Sequence, residues 1–425
     1  MWCGICFDGR LHKTLMEKNN SNLNIKPTRA KDRIVFLDVL RGFALVGIIF
    51  ANSLSWSGLK FLPFTEIELL GNLATDKILY NLLQFFVDTK FYTLFSLLFG
   101  VGFYMQYSKS GHKEGFNTMY LRRLAILFVI GMVHALIWSG DILTLYALMG
   151  VLLWSLRKLP SAAMFRLAII LYGFPLILDI IYMYTFAQDL PTCTKTALKT
   201  YSDMSPENIV AGFQSESYWE VFKTNFHNLL WRWYDFIPSG RPFKVLGLFL
   251  LGFYLHKKQF LTVTGKQLKY MLPLFLTGIL FTGFAAWMDG GVSSFSKTWS
   301  NVLYKFVHEI GQVTLGISYI CILSKLVDLF PRFLLFTWLK NYGRQSMSSY
   351  LGHTFIGIFI FYPFFAFGYF GQLSLQSVFE VIAGAVVFQF ILCAIWFRYF
   401  SFGPIEWLWR CATYGKWFPL RKQIN

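Results

Sequence analysis

The chain has 425 residues, of which 55% are hydrophobic and only 14% charged, and its mean hydropathy is +0.48. Soluble globular domains carry about 25% charged residues, so this composition excludes an ordinary soluble enzyme. The formal net charge is +17, which by itself would be compatible with nucleic-acid binding.

Long apolar blocks follow one another along the chain, and most approach or exceed the roughly 20 residues that a helix needs to cross a bilayer. Hydropathy and length therefore predict an all-α, polytopic helical membrane bundle with about ten transmembrane helices. The predicted spans are 35–54, 91–107, 124–139, 141–156, 167–186, 243–255, 270–287, 302–323, 346–367 and 378–397.

The basic residues lie mainly on one side of these spans. Of the 39 Lys and Arg residues, 27 fall in the segments that would face one side and nine in the opposite segments. The positive-inside rule therefore places both termini in the cytoplasm and the protein in the cell membrane. The lipid bilayer is the expected partner, and no nucleic acid is expected.

The same pattern predicts a simple domain organisation. Residues 1–33 are basic but contain no apolar core of signal-peptide length, so we expect a cytoplasmic tail there. A single transmembrane domain follows over 34–417, and a short cytoplasmic tail occupies 418–425.

Cysteine placement gives no support for a disulfide or a metal. The six cysteines are Cys3, Cys6, Cys193, Cys321, Cys393 and Cys411. Only Cys193 falls in a predicted outer loop, where it has no partner. Cys3 and Cys6 form a C-x-x-C pair that lacks the second pair of a zinc site. We therefore predict neither a structural disulfide nor a metal cofactor.

Two predicted outer segments have the character of surface helices. The longest connection, 187–242, carries apolar residues at helical spacing, which predicts an interfacial amphipathic helix with Trp at the headgroup level. A role as a substrate lid is the alternative. Residues 78–87 are apolar but too short to cross the bilayer, so a second surface helix is expected there. The stripe in the longer segment consists of Trp219, Phe222, Phe226, Leu229, Trp233 and Phe236.

Polar residues within spans are informative because burying an ionisable group in hydrocarbon is costly. In the first span, Asp38, Arg41 and Asn52 fall near one helix face at about 100° per residue. This stripe has two interpretations. Asp38 and Arg41 form an interfacial ion pair while Asn52 bonds a neighbouring helix, or the three residues line a functional site.

The third and fourth spans form a tight hairpin that brings His134 close to Asp141. A His beside a carboxylate is suited to act as a general base. The structural alternative is that Asp141 caps the next helix and His134 is a hydrogen-bonded packing residue.

Two later spans also carry polar faces. His308, Glu309 and Gln312 lie near the outer end of the eighth span, whereas Ser349 and His353 lie near the inner end of the ninth. These groups either line an aqueous cavity with the first and third spans or form interhelical hydrogen bonds. Zinc-protease, serine-hydrolase and nucleotide-binding loop motifs do not occur in the sequence.

Five strings in this order resemble the YeiB family of bacterial membrane proteins, over residues about 33 to 417. They are LDVLRGFALVGIIFAN (Leu37–Asn52), FYTLFSLLFGVGF (Phe91–Phe103), the His134 hairpin with GDILTLYALMG (Gly140–Gly150), NYGRQSMSSY (Asn341–Tyr350) and FGPIEWLWR (Phe402–Arg410).

The YeiB family is similar in turn to the transmembrane acyltransferases that include the heparan-glucosaminide acetyltransferases. The resemblance implies transfer of an acyl group from acyl-CoA to a hydroxyl or amine on an envelope sugar or other small acceptor. It rests mainly on Arg41, Gly42 and Asn52. The acetyltransferases have a functional His just after this helix, where this chain reads SLSWSGLK from Ser53 to Lys60.

Three functions therefore remain open from the sequence. In acyl transfer, His134 would deprotonate the acceptor and Asp141 would orient the imidazole. Arg41, paired with Asp38, would bind donor phosphate, and Asn52 would bond the developing oxyanion. The second function is a transporter or permease whose polar spans line a substrate path. The third is a noncatalytic envelope protein, in which these residues are structural.

Overall fold

The computed structural model describes residues 34–185, 205–260, 264–288 and 298–422. The predicted tail over 1–33, with Cys3 and Cys6, and the outer Cys193 lie outside the described residues. The described Cys321, Cys393 and Cys411 are buried and unpaired.

The described chain is helical throughout, with an isolated antiparallel bridge between Phe400 and Arg421. The helices are α1 (Val35–Trp56), α2 (Phe64–Ile67), α3 (Leu73–Leu82), α4 (Lys90–Ser110), α5 (Phe116–Ile137), α6 (Leu143–Ser155), α7 (Ser161–Thr185), α8 (Pro206–Phe213), α9 (Tyr218–Asp235), α10 (Arg241–Lys257), α11 (Thr264–Met288), α12 (Trp299–Leu329), α13 (Leu334–Arg344), α14 (Ser346–Phe361), α15 (Leu375–Tyr399) and α16 (Pro404–Tyr414).

The predicted all-α membrane bundle is confirmed. Seven helical stretches among the described residues, containing α1, α4, α5, α7, α11, α12 and α15, are long and apolar enough to cross a bilayer. Helices also occupy the other three predicted spans, but α6, α10 and α14 have only 13, 17 and 16 residues. The number of ten spans therefore stays a prediction.

The outer surface of the bundle is apolar, as contact with lipid requires. Ile170 of α7, Leu280 of α11 and Ile391 of α15 are 59%, 68% and 53% exposed. A soluble protein of this size rarely exposes such broad apolar helix faces. These helices thus form a lipid-facing shell around the buried ones.

One predicted span ends earlier than expected. The ninth was predicted to reach residue 367, but α14 ends at Phe361 and Tyr362 is extended. The physical reason is Pro363, because a proline disfavours the helical conformation of the residue before it and has no N–H to donate.

The two predicted surface segments are helical. Residues 78–87 fall in α3 and in one π-helical turn, Leu83–Val87, before α4 begins at Lys90. In the longer segment, α9 buries Val221, Asn225 and Leu229. Trp219 stays 57% exposed, at the surface where the sequence predicts membrane anchoring.

The central helices approach one another at glycines. A Cβ atom on Gly100 of α4 would lie 2.0 Å from the carbonyl oxygen of Phe249 in α10, and one on Gly252 would lie 2.0 Å from that of Leu97. The two helix backbones are therefore in direct contact at a reciprocal pair of glycines, a packing mode common between membrane helices.

We predict that Gly100→Ala lowers the free energy of unfolding by about 1–3 kcal/mol, because the added methyl group meets backbone and cannot be relieved by a side-chain rotation. Gly173→Ala in α7 is the matched control, since no atom lies within 4 Å of its Cβ position. Unfolding in detergent measures both. Equal midpoints for the two variants would show that α4 and α10 are not closely packed.

Candidate functional site

A large cavity runs through the helical bundle. Its volume is about 1410 Å³, above the roughly 300–1,000 Å³ of most small-molecule sites. Ten basic and four acidic side chains line it. The basic ones are Arg41, Lys60, Lys77, Arg123, Arg232, Arg241, Lys244, Lys305, Arg344 and Arg410, and the acidic ones are Asp76, Asp88, Glu309 and Glu406.

Most of the acidic residues are already engaged by the protein. Asp76 accepts hydrogen bonds from the backbone N–H groups of Leu375 and Gln376, at 3.1 and 2.9 Å. Glu406 likewise accepts from the first turn of α14, and Glu309 pairs with Lys244. Three of the four lining carboxylates are therefore held by groups of the protein itself.

The cavity follows α1 over much of its length. Arg41 and Asn52 both line it, and their eleven-residue separation corresponds to about 16 Å along the helix axis. Lys60 lines it beyond the end of α1. The two predicted first-span residues therefore belong to one elongated site.

Four arginines at the Arg41 end form what we call the arginine group: Arg41, Arg123, Arg344 and Arg410. The charges of Arg41 and Arg410 both act on Arg123, whose guanidinium lies 3.6 Å from the Trp409 ring centroid. Several guanidinium groups so arranged are suited to bind phosphate.

Asp38 lies behind this group instead of in the cavity. It is buried, at 3% exposure, and its Oδ1 accepts a hydrogen bond from Arg41 Nη1 at 2.9 Å. The predicted ion pair is thus present, and Asp38 is placed to hold the guanidinium of Arg41 while Arg41 itself faces the open space.

His134 is hydrogen bonded at both ring nitrogens. Nδ1 lies 2.8 Å from Asp141 Oδ1, and Nε2 lies 2.9 Å from the hydroxyl of Thr354. An ionised carboxylate can only accept, so Nδ1 donates to Asp141. The hairpin thus places an imidazole ring between a carboxylate and a hydroxyl.

Asp141 both bonds His134 and caps a helix, so the predicted helix cap is present together with the predicted contact to the His. Besides His134, its carboxylate accepts the backbone N–H groups of Leu143 and Thr144, at 3.1 and 2.9 Å. These bonds cap the start of α6. The cap fixes the carboxylate, and the carboxylate in turn fixes the imidazole ring.

The His134 ring lies in the wall between two spaces. It lines an apolar groove of about 990 Å³ together with Thr354 and Asn225. Trp138 and Tyr350, whose rings lie 5.9 and 5.2 Å from the His134 ring, line the cationic cavity instead. His134 therefore does not share the open space of Arg41 and Asn52 but is separated from it by aromatic rings.

Asn225 fixes α9 against this hairpin. Its side-chain oxygen accepts from the backbone N–H of Ser139 at 2.6 Å, and its amide nitrogen donates to the carbonyl of Leu136 at 2.9 Å. Both backbone groups lie where α5 ends, so a buried side chain of the surface helix satisfies them. As a result, α9 covers the hairpin and contributes to both spaces.

The polar residues of the eighth and ninth predicted spans are also divided, some lining the cavity and others lying in the helix packing. His308, Glu309 and Gln312 line the cavity, and His308 Nδ1 lies 2.6 Å from Gln312 Nε2. Ser349 and His353 instead lie inside the helix packing, where His353 is hydrogen bonded to Tyr342. For Ser349 and His353, the structure therefore agrees with the alternative of interhelical hydrogen bonds and not with that of a cavity lining.

Tyr342 connects this inner network further. Its hydroxyl also donates to Gln389, and burial raises the pKa of Tyr342 well above its ordinary value. The phenol therefore stays neutral and serves as a hydrogen-bonding link between α13, α14 and α15.

Sequence reasoning missed four functional candidates. Thr354 meets His134 across 220 residues, a contact that no local pattern reveals. Lys60, Arg232 and Arg241 line the cavity but come from connections outside the predicted spans. The sequence did contain a signal for these three residues. The positive-inside rule predicts few basic residues in the outer segments, and these three are among the few found there.

The chain is similar to several bacterial proteins along almost its whole length. It is 28% identical to the uncharacterised protein YxaH of Bacillus subtilis (strain 168), over 95% of this chain and 99% of that protein. It is 28% identical to an uncharacterised 39.9 kDa protein in the amylase 3' region of Bacillus acidopullulyticus, over 93% and 97% of the two chains.

A third relative is the uncharacterised protein YeiB of Escherichia coli (strain K12), 26% identical over 90% of this chain and 96% of that protein. Residues 255–416 match the family described as a protein of unknown function, DUF418. No solved structure matches the chain.

We predict that Asp141→Ala destabilises the protein by about 1–3 kcal/mol, because it leaves buried N–H groups of α6 and His134 without an acceptor. Asp141→Asn is the matched control, since its amide oxygen can still cap the helix, and we expect a smaller loss. Thermal unfolding in detergent distinguishes them. Wild-type stability in Asp141→Ala would contradict the capping geometry.

Proposed function

We propose that this chain, which belongs to the YeiB-like family of multi-pass membrane proteins, is a membrane-embedded acyltransferase. It would move an acyl group from acyl-CoA to a hydroxyl or amine on an envelope sugar or other small acceptor. We place it in the cell membrane with both termini in the cytoplasm, in accordance with the charge distribution.

The observation that carries this proposal is the cationic cavity beside the His134 and Asp141 pair. Coenzyme A bears several phosphate groups, and the arginine group offers guanidinium forks suited to bind them. The charge rule puts this end of the cavity at the cytoplasmic side, where acyl-CoA is present. Its volume of about 1410 Å³ leaves room for the rest of the donor.

The chemistry follows from the residues that border the two spaces. His134 Nε2 would take the proton of the acceptor hydroxyl or amine in place of the Thr354 hydroxyl that it now meets. Asp141, which holds Nδ1–H, would stabilise the imidazolium that forms. The acceptor oxygen or nitrogen would attack the thioester carbonyl, the C–S bond would break, and the leaving thiolate of coenzyme A would take up the proton to give the free thiol and the neutral imidazole.

Asn52 would assist at the carbonyl oxygen. Its side chain lines the cavity, as do the arginine group and Lys60, and an amide N–H directed at a developing oxyanion stabilises the transition state. The reacting hydroxyl or amine of the acceptor would meet His134 in the apolar groove, which His134 and Thr354 line directly. The rest of the acceptor would extend past the rings of Trp138 and Tyr350 into the cationic cavity.

Transport of an anionic solute is the second candidate, and the length of the cavity favours it. Basic side chains line it from Arg41 to Lys60, as a path for an anion would require. Flux of an anion into sealed vesicles without any acylated product would favour transport. Acyl transfer without flux would favour the enzyme.

We predict that acetyl-CoA raises the unfolding temperature of the purified protein in a saturable way, and that Arg41→Gln weakens this binding about tenfold or more. The reason is the loss of a charge-assisted phosphate contact, worth roughly 1.5–3 kcal/mol. Arg332→Gln is the control, because Arg332 is exposed and lies outside the cavity lining.

Two results would count against the proposal. Folded wild-type protein that binds neither short nor long acyl-CoA has no donor site. Equal binding by wild type, Arg41→Gln and Arg332→Gln would place the donor somewhere other than the arginine group.

A further inference from the structure

Three basic residues meet at the end of the cavity remote from the arginine group. Lys60 follows α1, Arg232 lies in α9, and Arg241 is the first residue of α10. All three line the cavity, and the charges of Arg232 and Arg241 both act on Lys60. We call them the Lys60 group.

Among the described residues, the Lys60 group has no ion-pair partner. In the described part of the chain, no carboxylate lies within ion-pair distance of these three side chains, and the buried Nε of Arg232 has no hydrogen-bond partner. Two other lysines that line the cavity are paired, since Lys244 meets Glu309 and Lys305 meets Asp179.

Holding these charges together is unfavourable without a ligand. Burial, followed by the charges of Arg232 and Arg241, lowers the pKa of Lys60. Burial and then the charge of Arg241 lower the pKa of Arg232 to about 10. More distant carboxylates offset this in part, namely Asp88 and Asp235 for Lys60 and Asp141 for Arg232.

A second observation points to a ligand at the same place. The hydroxyl of Tyr92 is buried and has no hydrogen-bond partner among the described residues. Tyr92 lines the cavity, and the charges of Arg241 and Arg232 both act on it. Buried hydroxyls are nearly always hydrogen bonded, so this one is available to donate to a bound anion.

The chemistry of the group selects a phosphate. A single carboxylate would neutralise one of the three positive charges and leave the other two in repulsion. A phosphate group carries more charge and several acceptor oxygens, which two guanidinium forks, an ammonium and a phenol can bond together.

We propose that Lys60, Arg232, Arg241 and Tyr92 bind a phosphate group of the acyl acceptor, which is therefore a phosphate-bearing molecule. This inference rests on the proposed acyl transfer, in which the arginine group holds the donor. The two cationic groups at opposite ends of one cavity then separate the two anionic substrates.

Binding of inorganic pyrophosphate to the full chain in a neutral detergent tests the site. We expect saturable binding in the presence of saturating acetyl-CoA, weakened at least tenfold in Arg232→Gln and in Lys60→Gln but retained in Arg332→Gln. We expect Lys60→Gln to fold normally, because the Lys60 side chain is accessible within the cavity and makes no ion pair among the described residues.

The unfolding temperature without ligand separates a binding role from a structural one. Removing one of three repelling charges should leave the unfolding temperature of Lys60→Gln unchanged or raise it, whereas loss of a structural contact would lower it. A lowered temperature together with unchanged pyrophosphate binding would overturn the proposal, as would displacement of pyrophosphate by acetyl-CoA.

Measuring acetyl-CoA binding by the same proteins distinguishes failure of the phosphate site from failure of the proposed acyl transfer. Wild type that binds acetyl-CoA but not pyrophosphate contradicts the phosphate site alone. Wild type that binds pyrophosphate at the Lys60 group but never acetyl-CoA contradicts the acyl transfer and with it the identification of the phosphate as the acceptor's.

The source of the phosphate is resolved in nanodiscs. Phosphatidylcholine discs with added phosphatidic acid should compete with pyrophosphate if the phosphate belongs to a lipid headgroup. Discs of phosphatidylcholine alone, in which pyrophosphate binds as in detergent, are the reference. Equal pyrophosphate binding in both discs assigns the site to a soluble phosphate compound.

Discussion

Positive charge that faces an enclosed space within a membrane bundle is the constraint on which this structure depends. Charged groups in a low-dielectric surrounding require a partner, a hydrogen-bond network or an aqueous space. The protein pairs Arg41 with Asp38 and Lys244 with Glu309, yet ten basic side chains still line one cavity against four acidic ones. We therefore infer that an anionic ligand would complete this site, and the glycine contacts bring α4 and α10 close together.

The His134 pair obtains its geometry from a short connection. Asp141 lies seven residues after His134 and two before the first residue of α6, so one carboxylate both caps the helix and holds the ring. The ring then stands between the cationic cavity and the apolar groove. In the acyl transfer that we propose, this position would let His134 act on an acceptor whose reacting end lies in the groove and whose phosphate lies in the cavity with the donor.

How much the sequence predicts depends on how local each contact is. The helical bundle and the shared face of Arg41 and Asn52 follow from hydropathy and helical periodicity, and the nearness of His134 to Asp141 follows from the tight hairpin. Thr354 lies 220 residues from its partner His134, so only the fold brings them together. The Lys60 group was missed for a related reason, since Lys60 lies in one connection and Arg232 and Arg241 lie in another, and only the fold brings the two connections together. The division of the polar residues between cavity and helix packing is set by helix rotation, which periodicity does not fix.

The most direct test of the account is transfer of the label from acetyl-CoA carrying a radioactive acetyl group, in membranes that contain either wild type or His134→Gln. The account predicts a labelled product with wild type and none with His134→Gln, while both proteins bind acetyl-CoA equally, because His134 lies outside the arginine group. Undiminished transfer by folded His134→Gln would contradict the assigned base. Absence of any labelled product with wild type, despite acetyl-CoA binding, would contradict acyl transfer itself.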